Sequence, residues 1–247
     1  MAKQRHLNNA PIVEAIIDIR VRLAPAFDVT GLASLQEASR TEYPKMEQRR
    51  DFLAGIDFAG KQVQQVFEDK GLGGYISRSD DGKNVVQFRR DGFTFSRLRP
   101  YTQWETVAAE AKRLWGPYSA RVSPGTVTRI AVRYINNLSI RLPINDFADY
   151  LTAPPMIPQT LPQELRHFMT RVTVREAELD TQANIIQALD KSAKPDEVAI
   201  IMDIDVYKEQ ETDLDDSRIW STFELLRGLK NRIFFDSITE KTARLFE

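Results

Sequence analysis

The chain has no cysteine among its 247 residues. That absence removes disulfides, thiolate zinc sites and cysteine nucleophiles together, and it fits a reducing cytoplasm. Histidine is nearly absent too. His6 sits near the N-terminus, and His167 stands just ahead of an apolar alternation. Neither has a partner at zinc-ligand spacing or a serine to complete a nucleophilic triad. Net charge is also missing. With 34 basic and 35 acidic residues, no global field draws the protein to nucleic acid or to anionic lipid. No apolar run reaches the length that spans a bilayer. The opening MAKQRHLNNAP has no apolar stretch of the secretory kind. The expectation is a soluble cytoplasmic protein without membrane contact. Gly71-x-Gly73-Gly74 lacks the strand-before, helix-after context of a phosphate loop and reads as turn glycines. No cofactor is expected, and no catalytic signature stands out.

What the chain does have is alternation. In PIVEAIIDIRVRL, residues 11–23, Val13, Ala15, Ile17, Ile19, Val21 and Leu23 share one side, while Glu14, Asp18, Arg20 and Arg22 share the other. That is a period-2 strand with one apolar face. Asp28 or Thr30 then caps a helix with Leu32, Leu35 and Ser39 inward, ended by Pro44. Short strands are expected near 52–58, 61–68, 72–79, 84–90 and 92–98, with turns at Asp80-Asp81-Gly82 and Asp91-Gly92. Thr102-x-x-Glu105 has the form of a capping box. It opens a helix that shows Trp104, Val107, Ala111, Leu114 and Trp115 on one stripe and stops at Gly116-Pro117.

The order of elements then begins again. VTRIAVRYINNLSIRL, 127–142, is a long strand, followed by a short helix at 146–151 and a loop carrying Pro154, Pro155, Pro158 and Pro162. Strands follow at 168–178, 181–190 and 197–208. The acidic run 209–216, ending in Asp215-Asp216, is a solvated loop that supplies negative charge to a helix N-terminus. That helix has Ile219, Phe223, Leu226, Leu229 and Ile233 as its inner stripe, and Ser237-x-x-Glu240 caps a last short one. Each half, 1–125 and 126–247, reads strand, helix, antiparallel strands, helix. The economical burial is an α+β fold in one joint unit: a large curved antiparallel sheet built from both halves, with helices on one face. Such an internal duplication resembles the saddle of TATA-binding-like folds; a helix-grip sheet and a pair of separate sheets are the alternatives.

On the face away from the helices the strands place Glu14, Asp18, Arg129, Arg133, Arg171, Arg175, Asp203, Asp205 and Tyr207. The bland expectation is self-pairing, Glu14 with Arg133 and Asp18 with Arg129, each cross-strand pair contributing about 0.2–1 kcal/mol. The sharper one is a binding face, since the arginine fork matches carboxylate and phosphate. Thin aromatic interleaving and overall neutrality weigh against nucleic acid there. Asp203-x-Asp205 sets two carboxylates about 7 Å apart on one strand face. With Glu14 or Asp18 they form a candidate Mg²⁺ site for phosphoryl transfer. Asn136 falls on the apolar side, where an amide needs backbone partners.

Three segments together resemble a sporadically distributed bacterial protein family of unknown function: LNNAPIVEAIIDIRV (7–21), RIAVRYINNL (129–138) and FELLRGLKNRIFFDSITEKTARLF (223–246). The positions that carry the resemblance are Pro11, Glu14, Arg129, Arg133, Tyr134 and Asn136. It implies one unit of about this length, patchily distributed among bacteria in accessory or defence gene sets, and it implies no particular activity. The preferred reading is a non-enzymatic binding or regulatory protein. Its ligand set is Glu14, Asp18, Arg129, Arg133, Tyr134, Asn136, Arg171 and Arg175, and its partner is another protein or a small acidic ligand. That partner meets the polar sheet face or the loop 152–162. A nucleic-acid-binding module is the second reading, a metal-dependent phosphoryl-transfer enzyme using Asp203 and Asp205 the third. Self-association is compatible with all three.

Overall fold

The computed structural model describes residues 1–23, 27–59, 62–123, 126–192, 194–211 and 215–247. Within them lie nine strands: β1 (Ile12–Arg22), β2 (Lys45–Ala59), β3 (Gln62–Arg78), β4 (Asn84–Arg89), β5 (Gly92–Leu98), β6 (Thr126–Arg141), β7 (Met169–Glu176), β8 (Thr181–Lys191) and β9 (Glu197–Lys208). The helices are α1 (Trp104–Val122), α2 (Asp216–Ser237) and α3 (Glu240–Ala243). All nine strands join one sheet in the order β2-β3-β4-β5-β1-β6-β9-β8-β7, and the described pairings are antiparallel. The fold is α+β around a single large antiparallel sheet. No helix among the described residues is long and apolar enough to cross a membrane.

The two long alternating strands meet at the centre. β1 pairs with β6 so that Ile17 faces Val132, Ala15 faces Tyr134 and Asp18 faces Ala131. One side of that pairing is apolar and carries the helices. Ile17, Ile19, Phe93, Phe95, Val132, Ile204 and Val206 are buried there, each large side chain contributing about 2–3 kcal/mol. Trp115 and Tyr118 of α1 pack on Phe93, with ring centroids 5.8 and 6.0 Å away. Phe223 and Leu226 of α2 are fully buried. The Trp115 indole donates to Asp216 at 2.9 Å, which ties α1 to the start of α2.

Several local expectations fail for identifiable reasons. Residues Val29–Ser39 form a 3₁₀ helix rather than an α-helix, capped by Asp28, whose carboxylate accepts from the Thr30 amide at 2.9 Å. Leu32, Leu35 and Ser39 are buried as expected. β2 and β3 replace the three short strands expected between 52 and 79; residues 60 and 61, inside that stretch, lie outside the described residues. Gly71, Gly73 and Gly74 sit within β3 rather than in a turn, opposite register shifts at Arg49/Arg50 and Asp51/Phe52. α1 runs on through Gly116-Pro117 to Val122. Burial of Tyr118 and Val122 past the proline outweighs the lost helical hydrogen bond, and the Tyr118 hydroxyl donates to the Arg89 carbonyl at 2.8 Å. The N-cap of α1 is Gln103 without a side-chain cap, so no capping box forms at Thr102. α2 extends through Ser237, and Thr239 caps α3 instead. Of the acidic run, 212–214 lie outside the described residues; Asp215 caps α2 by accepting from the Ser217 amide at 2.9 Å. The short helix expected at 146–151 is a single 3₁₀ turn, Phe147–Asp149.

Gly92 opens β5 beside β1. A Cβ there would stand 2.2 Å from the Ile19 carbonyl oxygen and 3.0 Å from the Arg20 Cα. Both obstacles belong to the backbone of a central strand, which cannot yield locally. Gly92→Ala is therefore expected to cost more than about 2 kcal/mol, read as a lowered urea midpoint with unchanged slope.

Candidate functional site

The polar face is an ion-pair ladder. The Asp18 carboxylate of β1 accepts from Arg89 of β4 at 2.9 Å, from Thr94 of β5 at 2.7 Å and from Arg129 of β6 at 3.3 Å. Arg129 also donates to both oxygens of Asp205 on β9, at 3.0 and 2.8 Å. Its guanidinium lies 4.5 Å from the centre of the Tyr207 ring. Asn184 of β8 donates to Asp205 at 3.5 Å and accepts from Thr173 of β7 at 2.8 Å. The chain of contacts crosses seven of the nine strands. Arg133 grips Asp203 with two donors, at 2.8 and 2.5 Å. This contact pushes the Arg133 pKa up, with burial opposing.

The expected pairs divide. Asp18 meets Arg129. Glu14 lies opposite Leu98 and Ile135 and makes no ion pair among the described residues. Arg133 turns the other way, because Asp203 on the neighbouring strand β9 is within bidentate reach. Arg171 and Arg175 sit on β7, an edge of the sheet, both exposed. Arg175 pairs with Asp180 at 3.0 Å. Asp203 and Asp205, like Asp18, are arginine-held carboxylates of this ladder. Among the described residues no group of three or more His, Cys, Asp or Glu side chains is placed to hold a metal ion.

Tyr134 and Asn136 point to the other side of the sheet. Asn136 is buried and donates to the Met202 carbonyl at 3.0 Å and to the Tyr134 carbonyl at 3.3 Å, which meets the amide's need for backbone partners. It also lines a cleft of about 540 Å³ between the N-terminal segment, the start of α1 and the middle of α2. That volume lies in the range of small-molecule sites. Leu7 and Pro11, Tyr101 and Trp104, Phe234 and Phe235 supply much of its apolar wall. All three segments that carry the family resemblance contribute to this lining. The proline-bearing loop 152–162 contributes none of it.

The cleft holds cations of two kinds. Arg5 pairs with Glu240 at 2.8 Å and Glu247 at 2.6 Å. Arg227 pairs with Glu105 at 3.5 Å and Glu224 at 3.3 Å. Lys230 differs: it is buried and has no ion pair among the described residues. Its ammonium donates to the Asn231 side-chain oxygen at 2.5 Å and lies 3.8 Å from the centre of the Tyr134 ring. Desolvation, with a smaller contribution from Arg227, brings its pKa down to about 7. The Tyr134 and Tyr101 hydroxyls stand 3.4 Å apart. Burial raises both pKa values, so both stay protonated at neutral pH. Lys230 is the residue that the apolar stripe of α2 could have revealed. It occupies an inner position, four after Leu226 and four before Phe234, where burial is expected and a charge is out of place.

Two outcomes follow. A double-mutant cycle on Arg129→Met and Asp205→Asn is expected to give a coupling of about 1–2 kcal/mol in urea unfolding, and the same cycle on Glu14 and Arg133 less than about 0.3 kcal/mol. The second concerns pH. An unfolded lysine titrates near 10.4. Between pH 7 and 9 the unfolded chain thus keeps a proton that folded Lys230 has released, and stability attributable to this residue rises with pH, by up to about 1.4 kcal/mol per unit. Urea midpoints at pH 6 to 9 should show Lys230→Met more stable than wild type at pH 6 and the gap shrinking as pH increases. No protein-family model matches this chain, and neither does any curated protein sequence.

Proposed function

We propose that the protein is a non-enzymatic binding protein whose cleft takes a small organic acid, with Lys230 as its counter-charge. One observation carries this reading: Lys230 is a buried cation in a ligand-sized cleft, and the described residues provide it with no carboxylate. Leaving a charge in that state costs several kcal/mol unless it sheds its proton or gains a partner. An acid entering the cleft is such a partner. Among the charged lining residues, Arg5, Arg227 and Lys230 stand against the single carboxylate of Glu105. The aromatic wall favours a ligand with an apolar body.

The sheet face supports a partner less well, because most of its acids and bases already satisfy one another. We also propose that residues 1–125 and 126–247 are two versions of one plan, related across the β1–β6 seam. β5 flanks β1 and leads to α1; β9 flanks β6 and leads to α2. The bacterial family that the three segments resemble would then share the cleft rather than the ionic face.

Benzoate is a suitable probe. At pH 8 Lys230 is mostly neutral, so binding a carboxylate takes up close to one proton per site. Calorimetry in buffers of different ionisation heat should show that uptake. Lys230→Met should bind benzoate at least tenfold more weakly and take up no proton. Equal affinity in the two proteins would exclude Lys230 as the counter-charge.

A further inference from the structure

A buried cation to which the described residues give no carboxylate suggests a second use. We infer that Lys230 is a carbonyl-reactive lysine that condenses with a small 2-oxo acid to form an imine. This rests on the cleft being an acid site and adds a covalent step to it.

Four features of the surroundings support the step. The amine contacts the Tyr134 ring face and the Asn231 oxygen, neither of which is an acid. Among the described residues no salt bridge therefore locks Nζ in its protonated, non-nucleophilic form. Burial and the neighbouring Arg227 charge both favour the neutral amine. At pH 7 about half of Lys230 is neutral, whereas an ordinary lysine is neutral roughly a thousandfold less often. This is the activation that desolvated lysines next to another cation show in Schiff-base chemistry. Third, the cleft brings the amine and a carboxylate-binding group together. Arg227 lines the same cavity, and its guanidinium keeps donors beyond the two it directs at Glu105 and Glu224. An acid held there shares the cavity with Nζ, so a carbonyl carbon one bond from its carboxylate has the amine as a neighbour in the same lining. Fourth, Leu7, Trp104, Phe234 and Phe235 give the lining an apolar side against which the body of an oxo acid can pack.

The atoms balance without an oxidant or a reductant. The neutral Nζ lone pair attacks the carbonyl carbon, forming the C–N bond and moving the π electrons to oxygen. A proton passes from nitrogen to that oxygen to give the carbinolamine. The C–O bond then breaks, oxygen leaves as water with a second proton, and the nitrogen lone pair forms the C=N bond. Once protonated, the imine nitrogen restores the positive charge beside the ligand's own carboxylate.

Glyoxylate with cyanoborohydride, which reduces an imine to a stable carboxymethyl amine, tests this on the unmodified chain. At pH 7 peptide mapping should find Lys230 labelled at least tenfold faster than the exposed Lys191 and Lys194. Benzoate should protect it, and acetaldehyde, which has no carboxylate, should label it at least tenfold more slowly. Labelling of Lys230 no faster than of Lys191, with benzoate binding intact, overturns the imine and leaves the acid site standing. Loss of both overturns both. Equal labelling by acetaldehyde overturns the assignment to an acid.

Discussion

The antiparallel seam between β1 and β6 is the contact on which the rest of this protein is arranged. It joins the two longest-range partners of the sheet's middle, and its register decides which side chains share a face. Because side chains alternate, a slip of one residue would exchange the two faces. In the observed register Ile17 and Val132 go under the helices while Asp18 and Arg129 meet on the other side. The seam also sets the end of the sheet. The Asn137 amide donates to the Pro11 carbonyl at 2.8 Å, which holds the segment before β1 against β6 and so forms one edge of the cleft.

The two faces handle charge in opposite ways. On the open face Asp18, Asp203 and Asp205 each have an arginine, and the contacts run on from strand to strand. Such a network is internally neutral. Under the helices Lys230 is a buried cation with no ion pair among the described residues, placed by the same inward stripe of α2 that buries Phe223 and Leu226. Satisfied charge stabilises a surface, and unsatisfied charge invites a ligand or a lost proton.

Much of the architecture was legible because it depends on short-range periodicity. β1, β4, β5, β7, β8 and β9 follow apolar alternation, and Asp80-Asp81-Gly82 and Asp91-Gly92 mark their turns. The alternation also put Asp18 and Arg129 on one face. The pairing of Arg133 was not legible, since Glu14 and Asp203 compete for it from two neighbouring strands and only coordinates tell which is in reach. Gly116-Pro117 looked like a stop because local propensity opposes a helix there; burial of Tyr118 and Val122 overrides it. The cleft was the least legible part. Its walls come from segments far apart in the chain, and Lys230 between Leu229 and Asn231 looks like any solvated lysine until its place on the apolar stripe is counted.

The outer wall of the cleft belongs to no strand. Residues 2–9 are attached through the Ala2 amide to the Phe235 and Ile238 carbonyls, through Arg5 to Glu240 and Glu247, and through the Asn9 amide to the Phe246 carbonyl. Lifting this strap breaks no rung of the sheet and leaves the seam untouched. The cleft's outer wall and the platform beneath it are thereby fastened by separate sets of contacts, so either could be weakened without loosening the other.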